Sequence, residues 1–187
     1  DGLIAPLDKD QWQFSHALIR DAVYGSLLSG QREKVHGQIA AALEKQSTNN
    51  ALLADHFHKA NNQSKTVHYL ILSAQQSHKS YALNDVDETL DLALTLLEAD
   101  PSLTDGQTFA DMAITWLRAL DQRGRFARLK AIADRVMPRL EADEQRHELN
   151  MARIMTALAL THMRDYKTSE ELALLAQRDA EAMGDTH

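Results

Sequence analysis

Residues 124–136 run Gly124-Arg125-Phe126-Ala127-Arg128-Leu129-Lys130-Ala131-Ile132-Ala133-Asp134-Arg135-Val136. Behind a glycine-bearing turn, Phe126, Leu129, Ile132, Ala133 and Val136 fall on one stripe of an α-helix. The pattern recurs with a period of 40 on either side: Val86 and Tyr166 align with Phe126, Thr89 and Ser169 with Leu129, Leu92 and Leu172 with Ile132, Ala93 and Ala173 with Ala133, and Leu96 and Ala176 with Val136. Short polar turns lead in, at Asn84-Asp85, Arg123-Gly124-Arg125 and Arg164-Asp165. The helices before those turns align through Ala74, Ile114 and Ile154, and through Ser77, Leu117 and Ala157. Three helix–turn–helix units in tandem predict an all-α fold, an α-α superhelix of stacked hairpins. One hairpin cannot bury both of its apolar faces without a neighbour. The expected repeat core is Val86, Leu92, Ala93, Phe126, Ile132, Ala133, Tyr166, Leu172 and Ala173, with the three alanines at close helix–helix approaches.

Working toward the N-terminus, the helical period persists but the repeat fades. A helix is expected from about Ser64 or Lys65 toward Leu83, another over 51–60, and a third over 32–45, with polar breaks at Gln46–Asn50 and Asn61–Ser64. Ser15 reads as the cap of a further helix ending at Gly30. Before it, Gln11-Trp12-Gln13-Phe14 alternates polar and apolar, and Gly2-Leu3-Ile4-Ala5 can pair with it as a short hairpin across a turn at Leu7–Asp10. The chain divides into residues 1–46 and a repeat array over 47–187.

Composition narrows the class. The 187 residues are 44% hydrophobic, 25% charged and 5% aromatic, with 7 Gly, 3 Pro and no Cys. This favours a globular helical protein, excludes disulfide scaffolds and thiol catalysis, and fits the cytoplasm. A net charge of −7 argues against direct nucleic-acid binding. No apolar run is long enough to span a membrane.

Some of these residues resemble known families. Asn84-Asp85-Val86, Gly124-Arg125-Phe126 and Arg164-Asp165-Tyr166 resemble the turn of tetratricopeptide repeats. Leu96-Leu97-Glu98-Ala99-Asp100-Pro101 and Ala180-Glu181-Ala182-Met183-Gly184-Asp185 resemble the ends of such repeats. The 40-residue spacing is similar to the extended repeats of bacterial maltose-regulator-like transcription factors. Phe14, His16, Leu18, Ile19, Arg20, Ala22 and Tyr24 resemble the end of the winged-helix segment that follows the ATPase core in bacterial STAND-type regulators, the signal-transduction ATPases with numerous domains. That resemblance implies a fragment of a cytoplasmic signalling or transcription regulator, whose parent ends in a LuxR-type DNA-binding domain, a nucleotide cyclase or a kinase module. It implies, too, that His16 contacts the phosphate of ADP held by an upstream ATPase domain, with Arg20 one turn further on. Ser15 and Ala17 differ from the Met and Asp that flank this histidine in plant and animal relatives. A helix N-terminus favours anions, so the placement is chemically compatible; the competing reading has His16 and Arg20 packing within the domain.

No catalytic motif is present, and no phosphate-cradling Gly-x-x-x-x-Gly-Lys loop. Asp55 and His58 have ligand spacing but no third partner, and His56 and His58 point to different sides of a helix, so neither a metal nor a cofactor is expected. Arg118, Arg123, Arg125, Arg128, Lys130, Arg135 and Arg139 form a basic cluster interleaved with Asp121 and Asp134, which reads as a solvated face or as contacts to an acidic partner. Trp116 and Phe126 read as core. The expected function is a non-catalytic interaction module for a protein, a peptide or another domain of its own chain. The alternatives are a structural part of an ATP-driven enzyme and a small-molecule effector domain.

Overall fold

The computed structural model describes residues 4–8, 11–14 and 16–184. Strands β1 (Ile4–Asp8) and β2 (Gln11–Phe14) form an antiparallel hairpin in which Ile4 faces Phe14 and Pro6 faces Trp12. Leu7 and Asp8 belong to the strand and not to the turn; Gly2, Leu3, Lys9 and Asp10 lie outside the described residues. Helices follow: α1 (Ala17–Ser26), α2 (Ser29–Leu43), α3 (Asn50–Lys59), α4 (Gln63–Lys79), α5 (Leu83–Ala99), α6 (Gly106–Gln122), α7 (Phe126–Ala142), α8 (Arg146–His162) and α9 (Tyr166–Met183). From α2 onward each helix packs on the next in sequence order, as in a helical repeat. Contacts also run from α4 to α6 and from α6 to α8, so these three form an inner row.

The expected helix ending at Gly30 is two helices. α1 stops at Ser26, and Leu27 and Leu28 take extended backbone before α2 begins. Gly30 meets no pressure to terminate anything, because it sits in the first turn of α2, where a glycine costs little.

Between later helices one turn recurs. Asn61, Tyr81, Gly124, Glu144 and Arg164 take left-handed backbone with φ of 56–63°. The next residue's amide reaches back five positions: Asn62 to Phe57 O at 3.0 Å, Ala82 to Ser77 O at 2.9 Å, Arg125 to Leu120 O at 2.9 Å, Gln145 to Leu140 O at 2.9 Å and Asp165 to Leu160 O at 3.0 Å. This bond satisfies carbonyls that the helix C-terminus leaves open. α4 to α8 are each 17 residues.

One junction departs from the pattern. The helices start at Gln63, Leu83, Gly106, Phe126, Arg146 and Tyr166, so every step is 20 residues except the step of 23 from Leu83 to Gly106. The extra length is the 3-10 turn Pro101–Leu103, capped by Asp100. A strict 40-residue alignment is therefore correct from α6 onward but slips by three residues in α4 and α5: Ala74 and Ser77 match Leu117 and Leu120, not Ile114 and Leu117. Val86 is the fourth residue of its helix and matches Leu129 and Ser169; the first residues are Leu83, Phe126 and Tyr166. Asn84-Asp85 lies inside α5, and the actual turn is at Tyr81-Ala82.

In the corrected register the fourth residue of α4 to α9 is Thr66, Val86, Phe109, Leu129, Leu149 and Ser169. The eleventh is Ser73, Ala93, Trp116, Val136, Thr156 and Ala176. All twelve are buried. Val86, Ala93, Ile132 and Ala133 are fully buried core, as expected, and Phe126 is half-buried, stacked on the His162 ring at 4.3 Å. Leu92, Tyr166 and Ala173 are exposed, and Leu172 is half-buried. Leu92 falls on the outer side once the three-residue slip is removed. Tyr166 and Ala173 belong to α9, which has no following helix to cover them among the described residues.

Candidate functional site

The inner row shapes a continuous groove. One segment of about 450 Å3 is walled by α4, α6 and α8 and includes His78, Lys79, Arg118, His147, Glu148 and Met151. A second segment of about 730 Å3, toward the N-terminal end of α4, shares Gln75 and Asp111 with it and extends past His68 to Glu44 and the 3-10 turn. Among the described residues, the side chains of Lys79, Arg118, His147 and Glu148 make no hydrogen bond or ion pair within the chain, and Nε2 of His78 is buried without a partner. At the far end Glu44 is held by Lys65 at 2.7 Å and by Tyr69 Oη at 2.7 Å. Hydrogen bonds from Lys65 and then Tyr69 keep its carboxyl below the usual value and raise the Tyr69 phenol in turn.

On the opposite side of the array three arginines find partners within the chain, although Nη1 of Arg139 is buried without one. Arg128 pairs with Asp87 and Asp91, and Arg135 reaches Asp91 at 3.0 Å and both oxygens of Glu98 at 2.9 Å. Trp116 Nε1 donates to Asp87 at 2.9 Å, so an inner-row helix joins the same seam. Arg139 binds Asp143, donates to the carbonyls of Pro101 and Thr104, and lies 4.3 Å above the Phe109 ring. It clamps the inserted turn to α7. At these three arginines the basic cluster pairs within the chain, with Arg128 and Arg135 still partly exposed. Arg128 and Arg135 neutralise carboxylates of α5, and Arg139 ties the carbonyls of the insertion to α7. Beside the clamp lies a pocket of about 650 Å3 with Leu94, Leu97, Phe109 and Pro138 in its wall.

His16 occupies the N-cap position of α1, with extended backbone and no side-chain capping bond, and its side chain is exposed. The cap of this helix is thus His16 and not Ser15; Ser15 and the side chain of Arg20 lie outside the described residues. The histidines that do meet are different ones. His36 Nδ1 lies 2.9 Å from His56 Nδ1, and its Nε2 lies 2.9 Å from Tyr24 Oη, linking α1, α2 and α3. One Nδ1 must carry a proton and the other must be bare. Burial, then the nearby His56 and Lys59, hold His36 below the usual histidine value, with Asp55 acting the other way. Their separation of 20 residues across a loop hides this pair from any local motif. Asp55 pairs with Lys59 at 2.7 Å.

No family model, curated protein or solved structure matches the chain.

Proposed function

We propose that this chain is a non-catalytic interaction module, a tetratricopeptide-like repeat that holds a protein or peptide segment in the groove along α4, α6 and α8. The contrast in charge pairing carries this reading: Arg128 and Arg135 of the outer seam are paired with the carboxylates of α5, while Lys79, Arg118, His147 and Glu148 face the groove without internal partners among the described residues. Charges left unmatched on a concave surface give specificity and association rate to a complementary ligand. In this reading the module serves a cytoplasmic regulator of the STAND type, with ATP or ADP reaching it only through an upstream ATPase domain and His16 and Arg20 at that junction. The exposed apolar side chains of α1 and its C-terminal linker, Leu18 at 82% and Leu28 at 73%, support a further domain seated there. Peptides selected from a random library against the chain test the groove. They should bind Arg118→Glu at least about tenfold more weakly with the fold unchanged; equal binding would place the site elsewhere.

A second reading, a small-molecule effector domain, is favoured by the 650 Å3 pocket at the inserted turn, whose size and mainly apolar wall suit a small ligand. Saturation with such a ligand would raise the thermal midpoint of the chain, and Ala142→Trp at the rim would abolish that rise.

A further inference from the structure

The ninth residue of each inner helix is an isoleucine: Ile71 in α4, Ile114 in α6 and Ile154 in α8. Ile71 is 3% exposed and Ile114 is 6% exposed, in helices that the next inner helix covers; Ile154 is 46% exposed. One turn on, Leu158 is 56% exposed. Asn150, at the position of the fully buried Val67 and Ala110, is itself 8% exposed, yet its Oδ1 has no partner. A buried acceptor without a donor costs stability, which a docked donor would recover. The face continues into a pocket of about 400 Å3 between α8 and α9 that reaches Ala173.

A second feature points the same way. Gly184, after α9, has φ of 78° and donates its amide to Glu181 O at 3.1 Å, as Gly124 donates to Asp121 O at 2.8 Å. It stands 20 residues after Arg164, in step with the left-handed residues at the junctions α3–α4, α4–α5, α6–α7, α7–α8 and α8–α9.

We propose that the exposed face of α8 and α9 is an interaction surface for one further hairpin of this same repeat, its first helix lying along α8 as α8 lies along α6. The occupant's chemistry follows from how α8 meets the existing core, through Leu149, Ala152 and Ala159. The docking helix carries a leucine and two small residues at that spacing, and a donor for Asn150 Oδ1.

The test appends a hairpin copying residues 146–184 behind Gly184 and compares it with the 187-residue chain. Amide exchange in α8 should slow by at least about tenfold, and the thermal midpoint should rise in the same cooperative transition. Ile154→Glu should erase both gains in the extended protein while scarcely changing the shorter one, where the side chain is already half in water. Unchanged exchange in α8 on extension would overturn the proposal. So would a 187-residue chain that light scattering shows to be a dimer and that Ile154→Glu makes monomeric, because a second copy would then own the face.

Discussion

The two sides of the array handle charge in opposite ways. On the outer seam Arg128, Arg135 and Arg139 meet Asp87, Asp91, Glu98 and Asp143, and the guanidiniums of Arg128 and Arg139 also lie over Trp116 and Phe109. In the inner groove Arg118, two residues beyond Trp116 on α6, makes no ion pair among the described residues. The same residue type therefore has two roles, and neighbouring helices decide which. A paired arginine orders a seam; Arg118 faces the groove without an internal ion pair among the described residues.

Four measurements probe this contrast. The largest effect is expected at Trp116, which is fully buried and bonds Asp87 across the seam. Trp116→Ala should cost about 3–5 kcal/mol in urea denaturation; a much smaller loss would mean that the seam closes without its aromatic wedge. Next comes Ala133, fully buried in α7. Enlarging it, as in Ala133→Leu, should cost about 1–3 kcal/mol through overpacking, and an unchanged midpoint would show a loosely packed outer row.

Arg135→Met addresses the ion pairs themselves. These side chains are partly in water, so the loss should be about 1 kcal/mol or less and should shrink in high salt. The pH dependence has a definite sign. The hydrogen bond from Arg135 holds Glu98 below its usual 4.5, so its contribution is complete above that value and fades as the pH falls through the lowered folded one. In Arg135→Met that acid-side loss should flatten. The smallest effect on stability is expected at Arg118, where Arg118→Glu should stay within about 0.5 kcal/mol of the parent. A larger cost would reveal an internal partner and weaken the groove as a recognition surface.

The helical repeat is legible in the sequence because burial on one face must recur at the spacing of the turns, and from α6 onward the spacing is regular. The three-residue slip in α4 and α5 is not. Tyr81, Glu144 and Arg164 adopt left-handed backbone without being glycine, so these turns carry no residue signal of the kind Gly124 gives. With Tyr81 unmarked, Asn84-Asp85 looks like the turn and Val86 like a first residue. The groove is equally hidden: Arg118 and Arg135 look alike as letters, and only packing separates them. His36 and His56 meet because α2 and α3 pack together, which no local pattern records.

The helical class, the two-helix unit and part of the buried stripe follow from the order of residues alone, since apolar periodicity and hydrogen-bonding needs within a helix are local properties. Packing between helices set the true register, the pairing of the outer arginines, the open groove and the uncovered Ile154. Each depends on which helix lies beside which, and a shift of three residues at one turn changes every neighbour without altering a single helix.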